Sequence, residues 1–163
     1  MVDKVTINII SVGKIKENAL KNLIHEYEKR ISKFAKVVTI EIKDLASENS
    51  ASEAEKLTVI EEEGKLILSK IGLRDYVIAL AIEGETFTSE EYASFLDKSF
   101  VKGGAKLSFI IGGSLGLSET IKKRANALIS FSTMTFPHQL MKLILLEQTY
   151  RAFKIISNEP YHK

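Results

Sequence analysis

Short, almost wholly apolar segments alternate with amphipathic ones along most of this chain. Tyr76–Ile82 and Leu107–Ile111 are segments of the first kind, rich in β-branched and aliphatic residues, with Ser108 as the one small polar residue. Strands that are apolar along their whole length are typical of parallel sheets whose two faces are both covered by helices. The pattern therefore predicts an α/β fold, with a parallel sheet in an α/β/α arrangement and a single domain over residues 1–163.

Apolar periodicity and helix-capping signals predict five strands and five helices in alternation. The predicted strands are Val5–Val12, Val37–Ile42, Tyr76–Ile82, Leu107–Ile111 and Ile129–Ser132, and the predicted helices are Asn18–Phe34, Ser52–Ile71, Thr88–Phe100, Ser118–Leu128 and Pro137–Ser157. The last helix is apolar around most of its circumference, which indicates burial on two sides. We expect one side to face the sheet and the other to face a second copy of the chain in a two-fold homodimer.

Composition and charge limit the classes of binding partner and the cellular compartment that we expect for this chain. The chain has no cysteine, which excludes disulfides, a thiolate nucleophile and a cysteine-based zinc site. No apolar run approaches the roughly 20 residues that cross a bilayer, and residues 1–12 do not resemble a signal peptide. We therefore expect a cytoplasmic protein with no membrane partner and no metal. The net charge is only +2, but basic residues crowd the first 36 positions, which permits a polyanionic partner without requiring one.

Three loops leave the carboxyl ends of the predicted strands, where open parallel sheets bind ligands. One follows Leu80, the second contains Gly112-Gly113-Ser114-Leu115-Gly116, and the third is Phe131–Phe136. Glycines allow a backbone to approach a ligand closely. The second loop lacks the Gly-Lys-Ser/Thr of a triphosphate-binding loop, and its position in the chain argues against a dinucleotide fingerprint. Taken alone, it is equally consistent with a plain strand-to-helix turn.

Taken together, these loops resemble those of the SPOUT class of S-adenosylmethionine-dependent RNA methyltransferases, whose C-terminal half forms a trefoil knot. More narrowly, the chain is similar to the small single-domain family that methylates N3 of a pseudouridine in large-subunit (23S) ribosomal RNA. The matching segments are Leu80–Gly84, Thr88–Ala93, Ile110–Ser118, Met134–Leu140, Glu147–Ala152 and Pro160–Lys163. Two positions depart from the family pattern: Ala81 replaces an acidic residue found in many members, and Lys142 replaces a common arginine.

The resemblance implies that S-adenosylmethionine binds in a bent conformation among the three loops and is recognised mainly by backbone groups. The residues to which it points are Leu80, Gly112, Phe131, Ser132, Thr133, Met134, Thr135 and Phe136. Without the resemblance, Leu80 and Met134 would be interpreted as core residues. His138, near the start of the last helix, is as consistent with packing there as with substrate contact.

The chain ends in a tail with three functional side chains in succession, Tyr161, His162 and Lys163. An aromatic ring, an imidazole and a cation together suit an RNA base and its phosphate. With the resemblance, we predict that Tyr161 stacks on the base, that Arg151 and Lys163 hold phosphate or an anion, and that His162 accepts the N3 proton. We expect the tail to reach the cofactor cavity of the other subunit, on a substrate presented within the assembled ribosome.

Three alternatives stay open on the sequence. The first is another reaction of the same class, at a ribose 2′-oxygen or a different base nitrogen. The second is a non-catalytic RNA- or nucleotide-binding module that kept the fold and lost turnover. The third is a flavodoxin-like phosphate-binding domain, in which the tail would have no role.

Overall fold

The structure, a computed structural model, describes residues 4–46 and 52–161. Strands and helices alternate, in the order β1 (Val5–Val12), α1 (Asn18–Ile31), β2 (Ala35–Ile42), α2 (Glu53–Leu68), β3 (Tyr76–Thr86), α3 (Ser89–Gly103), β4 (Lys106–Ile111), α4 (Glu119–Arg124), β5 (Ala127–Ser130) and α5 (His138–Ile156). The five strands form one sheet in the order β2-β1-β4-β3-β5, and all neighbours are parallel. The predicted α/β class with a parallel sheet is confirmed.

Helices cover both faces of this sheet. On one face, α1, α3 and α5 pack over alternate strand residues such as Ile9, Ile78 and Phe109. On the other face, α2 and α4 pack over the intervening residues, among them Ile10 and Ile110. Successive strand residues point to opposite sides of a sheet. Burial on both sides is therefore the physical reason that β3 and β4, in the middle of the sheet, are apolar over most of their paired length.

Asn126 sets the boundary between α4 and β5, which differs from the predicted one. The helix ends at Arg124 rather than Leu128, and β5 begins at Ala127 rather than Ile129. The backbone N–H of Asn126 donates to the Val77 carbonyl at 2.8 Å, and its side-chain oxygen accepts from the Val77 N–H at 2.8 Å. Because Asn126 is held beside β3 by two bonds, the helix must end before it.

β3 is longer than predicted, since it continues past Ile82 to Thr86. Its register with β5 shifts between Leu80 and Glu85, and both residues pair with Ile129. Gly84 lies inside this shift, where a Cβ atom would be 2.5 Å from the carbonyl carbon of Ile129. The two backbones therefore touch directly, and this contact holds the end of β5 against the end of β3.

The long helix α5 lies against both α1 and α3. Leu145, Leu146 and Phe153 are buried on its inner side. The Tyr92 hydroxyl of α3 hydrogen-bonds the Thr149 hydroxyl of α5 at 2.9 Å inside this packing. Ile156 stays 38% exposed, and Leu143 and Ile144 are only half-buried. One of the two predicted contact sides is thus filled by the chain itself.

Residues 4–46 and 52–161 contain no helix with the length and apolarity needed to cross a membrane. Within the same ranges, no three histidine, aspartate or glutamate side chains come together as metal ligands.

Candidate active site

A cavity of about 820 Å³ opens at the carboxyl ends of β3, β4 and β5. Its walls are the three loops predicted from the sequence. The predicted cofactor residues that line it are Leu80, Gly112, Phe131, Ser132, Met134, Thr135 and Phe136. Thr133 does not line it and is exposed. The cavity brings together residues from widely separated parts of the chain because parallel strands end at the same edge of the sheet.

Two serine hydroxyls shape the loop after β5. The Ser130 hydroxyl donates to the Ser132 carbonyl at 2.7 Å, and the Met134 N–H donates to the Ser132 hydroxyl at 2.9 Å. The Phe131 ring packs edge-on against Tyr92, with ring centroids 5.4 Å apart, which anchors the loop in the core. Met134 is 72% exposed. An apolar side chain therefore lies open to solvent beside the cavity and is available to cover a bound ligand.

The loop after β4 is closed by its glycines. The Gly116 N–H donates to the Gly113 carbonyl at 3.1 Å, and Gly116 has a φ of 87°. A Cβ atom on Gly112 would be 3.0 Å from the Gly116 carbonyl. Glycine at positions 112, 113 and 116 lets this turn fold tightly and brings its backbone close to the cavity wall. Ser118 then caps α4 by accepting the Ile121 N–H at 3.2 Å.

An ion pair that the sequence analysis did not identify lies on the cavity wall. The Lys122 ammonium contacts the Glu83 carboxylate at 2.5 Å, and both residues line the cavity. Their hydrogen bond raises the pKa of Lys122 and lowers the pKa of Glu83, which favours the charged form of each. Glu83 lies two positions after Ala81, so a carboxylate is still present near the place where the family pattern has one. Glu83 lies on β3 and Lys122 on α4, so the pair could be recognised only once the structure showed these two elements side by side.

His138 begins α5 and is half-buried at one edge of the cavity. Its imidazole lies over Gly13, where a Cβ atom would come within 2.8 Å of Nε2. The His138 ring therefore packs directly against the turn after β1. Of the two roles considered for His138, the geometry is compatible with both, since the ring is packed and also lines the cavity.

Arg151 and Tyr161 come together, but away from the cavity of their own chain, which neither of them lines. The Arg151 guanidinium is 2.6 Å from the Glu147 carboxylate and 4.8 Å from the centre of the Tyr161 ring. The Tyr161 hydroxyl donates to the same carboxylate at 3.2 Å, and its ring meets Tyr150 edge to face. The hydrogen bond to Glu147 raises the pKa of Arg151, and burial raises that of Tyr161. His162 and Lys163, the other two predicted catalytic residues, lie outside the described residues.

Lys142 has an interior position rather than a place at the cavity. It is 5% exposed, and its ammonium donates to the Thr39 hydroxyl on β2 at 3.0 Å. Burial lowers the pKa of this lysine. The family's arginine position is thus occupied here by a packing residue that links α5 to the sheet.

Comparisons with known proteins agree with this architecture. Residues 5–162 match the family model described as a predicted SPOUT methyltransferase. The chain is 54% identical over 157 residues to the ribosomal RNA large subunit methyltransferase H of Streptococcus thermophilus (strain CNRZ 1066), covering 96% of this chain and 99% of that protein. The protein of the same name from Streptococcus pneumoniae (strain CGSP14) is 55% identical with the same coverage.

A solved structure, that of a probable methylase family protein from Haemophilus influenzae Rd KW20, superposes with a TM-score of 0.53. The alignment covers 96% of this chain and 70% of that one at 12% identity, so it shows a shared fold. The family match and the two streptococcal relatives each extend over nearly the whole chain. The chain therefore belongs to the SPOUT methyltransferase family.

Proposed function

We propose that this protein, as one SPOUT domain over residues 1–163, transfers a methyl group from S-adenosylmethionine to N3 of a pseudouridine in 23S ribosomal RNA, on the assembled ribosome in the cytoplasm. The observation that carries the proposal is the cavity in which all three strand-end loops converge. Two relatives that are 54–55% identical are ribosomal RNA large subunit methyltransferases H, which supports the substrate class.

The cavity suits the methyl donor. Its volume of about 820 Å³ lies within the range of small-molecule sites, about 300–1,000 Å³. Leu80 and Met134 provide apolar surface for an adenine, and the glycine turn leaves backbone groups within reach of its edge. S-adenosylmethionine supplies an activated methyl group when bound. The remaining work of the protein is to align the acceptor nitrogen with that group and to exclude water.

The acceptor requires help from the protein because the pseudouridine N3–H must lose its proton before the nitrogen attacks. A base with a pKa near neutrality or a cation beside the imide anion would serve. We assign proton acceptance to His162, stacking to Tyr161, and anion or phosphate contacts to Arg151 and Lys163. Arg151 lies on α5 and Tyr161 lies beyond its end, and neither lines the cavity of its own chain. We therefore assign this set of residues to the cavity of a second protomer.

A homodimer and a knotted C-terminal half complete the proposal. The half-buried Leu143 and Ile144 and the exposed Ile156 offer an apolar surface on α5 for a second copy. For the knot, the support is the path of the chain: β5 lies at the sheet edge, yet α5 returns to pack between α1 and α3. A crystal structure of the dimer with S-adenosylmethionine tests both. A monomer with an unthreaded chain would contradict them.

Deletion of residues 160–163 tests the role of the tail. We expect S-adenosylmethionine binding to be nearly unchanged and methyl transfer to ribosomes to be abolished. Saturating the intact protein and the deletion variant with the methyl donor at about 100 times its dissociation constant should stabilise each by about 2.7 kcal/mol in thermal unfolding. Unchanged turnover in the deletion variant would remove the tail from the mechanism.

Mass spectrometry of ribosomal nucleosides from a deletion strain tests the target. Loss of N3-methylpseudouridine is the expected result. Loss of a ribose-methylated nucleoside or another methylated base would instead favour the related reactions. If no nucleoside changes but S-adenosylmethionine still stabilises the protein, a non-catalytic module is favoured, and stabilisation by flavin or phosphate alone would indicate the flavodoxin-like alternative.

A further inference from the structure

A second cavity, of about 620 Å³, opens beside the first at the carboxyl ends of β1 and β2. Its walls are the turn 13–16 after β1, residues 41–44 at the end of β2, and the start of α5. His138 lines both cavities, so its imidazole forms part of the wall between them. The two cavities are therefore neighbours that are separated by this ring.

Three lysines line this second cavity: Lys14, Lys16 and Lys43. All three side chains are exposed, and within residues 4–46 and 52–161 none of them forms an ion pair. Lys33, Lys122 and Lys154 elsewhere on the surface are matched with carboxylates. Ammonium groups gathered in a concave site attract anions such as phosphate.

The same cavity contains two carboxylates, Glu41 and Asp44. They make the cavity a site of mixed charge rather than a purely basic one. A ribose–phosphate unit fits better, because lysines bind its phosphate while carboxylates accept hydrogen bonds from its hydroxyl groups. The 2′-hydroxyl would then distinguish RNA from DNA.

The cavity is built by contacts between its separate segments. The Lys16 backbone N–H donates to the Gln139 side-chain oxygen at 3.1 Å, which ties the lysine-bearing turn to the start of α5. Asp44 is held in place by accepting the Ala46 N–H at 3.0 Å. In addition, α5 has no side-chain cap at Pro137, so its first-turn N–H groups add a positive end to the same region.

We infer that this second cavity binds a ribose–phosphate unit of the RNA strand next to the nucleotide whose base enters the first cavity. The identity of that RNA as ribosomal rests on the proposed function; the chemistry of recognition does not. The site gives a role to part of the basic N-terminal region, in a chain whose net charge of +2 offers little general attraction to RNA.

The test is a triple variant, Lys14→Gln, Lys16→Gln and Lys43→Gln. Its control carries the same loss of charge at exposed lysines that line neither cavity: Lys70→Gln, Lys98→Gln and Lys102→Gln. Binding to 70S ribosomes is measured for both and for the unsubstituted protein across a salt series, with S-adenosylmethionine affinity and thermal midpoint measured alongside. Because all six side chains are exposed, neither variant is expected to unfold.

We expect the triple variant to bind ribosomes at least about 10-fold more weakly than the control. Its salt dependence should also be shallower, by about 0.7 in log–log slope for each single-strand phosphate contact that is lost. S-adenosylmethionine affinity should stay unchanged in both variants. Equal ribosome binding by the two variants overturns the inference, and so does failure of the unsubstituted protein to bind ribosomes at about 50 mM salt.

The ribose contact is tested by Glu41→Gln. Short single strands of RNA and DNA with the same sequence compete against ribosome binding. RNA should compete better with the unsubstituted protein, and this preference should shrink in the variant. Equal competition by RNA and DNA with the unsubstituted protein overturns the ribose part of the inference.

These outcomes separate the inference from the proposed function. If the triple variant loses ribosome binding while the unsubstituted protein methylates no nucleotide, the proposed function fails and the second site stands. If the unsubstituted protein methylates 23S RNA while the triple variant matches the control in binding and in KM for ribosomes, the second site fails and the function stands.

Discussion

Gly84 is a residue at which the fold has no room for a larger side chain. A Cβ atom there would lie 2.5 Å from the Ile129 carbonyl carbon and 2.6 Å from its nitrogen, and backbone atoms in a sheet cannot yield as a flexible side chain can. We therefore expect Gly84→Ala to destabilise the protein by about 3 kcal/mol or more, as measured by urea unfolding.

Gly104→Ala is the matched control for this prediction. Gly104 has a φ of 66° and no atom within 4 Å of its missing Cβ, so alanine there meets backbone strain alone. We expect a cost of about 1 kcal/mol. Equal costs at the two positions would contradict the close contact between β3 and β5.

Glu63 is a buried carboxyl group that makes stability depend on pH. Burial raises its pKa, the Leu45 N–H at 2.9 Å acts in the opposite direction, and the neighbouring Asp44 carboxyl raises it further. A carboxyl with a higher pKa in the folded state holds its proton more tightly there than in the unfolded chain. Its stabilising contribution is thus complete below the usual carboxyl pKa and is lost as pH rises through the folded value.

Glu63→Gln should remove this dependence, because glutamine keeps an acceptor oxygen for Leu45 and carries no charge. We expect the variant to be more stable than the unsubstituted protein at about pH 8, with a difference that shrinks toward about pH 4.5. Urea unfolding at both pH values measures it. A difference that is the same at the two pH values would contradict the titration of Glu63.

The packing of α3 on α5 depends on one buried polar pair. The Tyr92 and Thr149 hydroxyls bond at 2.9 Å, and both residues are almost completely inaccessible to solvent. Removing either hydroxyl leaves the other without its partner. We expect Tyr92→Phe to cost about 1–3 kcal/mol of unfolding free energy.

The double variant Tyr92→Phe with Thr149→Val removes both hydroxyls together. Its cost should therefore be smaller than the sum of the two single costs, by about 1 kcal/mol, in a double-mutant cycle. Strict additivity would mean that the two hydroxyls do not stabilise the helix pair through each other.

Complementation between subunits tests whether the tail acts across the dimer. One variant lacks residues 160–163, and the other carries Ile82→Arg, which places a bulky cation in the cavity of the first site. Each variant alone should be inactive. Randomly mixed subunits should recover about a quarter of the activity, because half the dimers are mixed and each has one complete site.

Methyl transfer to ribosomes by the refolded mixture measures this recovery. If the tail served the cavity of its own chain, no subunit of the mixture would hold both a tail and a usable cavity. Activity would then stay absent, and the assignment of the tail to the partner's cavity would be wrong.

The type and order of the strands and helices could be predicted from the sequence, because burial of an element produces a recognisable spacing of its apolar residues. Strands covered on both sides are mostly apolar, and the ends of parallel strands lie at one edge, so the loops containing Leu80, Gly112 and Phe131 could be placed together in advance. Element ends were less accessible. The end of α4 depends on hydrogen bonds between Asn126 and Val77. These residues are far apart in sequence, so the local pattern around α4 could not predict where the helix ends.

The sequence by itself thus determined the parallel sheet, its helical layers and the edge at which the three loops meet, since each follows from local periodicity and strand direction. Tertiary structure decided which side chains meet across the sheet. It paired Glu83 with Lys122, turned Lys142 inward to Thr39, and put His138 between two cavities. Lys142 and Thr39, for example, are 103 positions apart in sequence. The energies of such contacts depend on distances that only the packed chain defines.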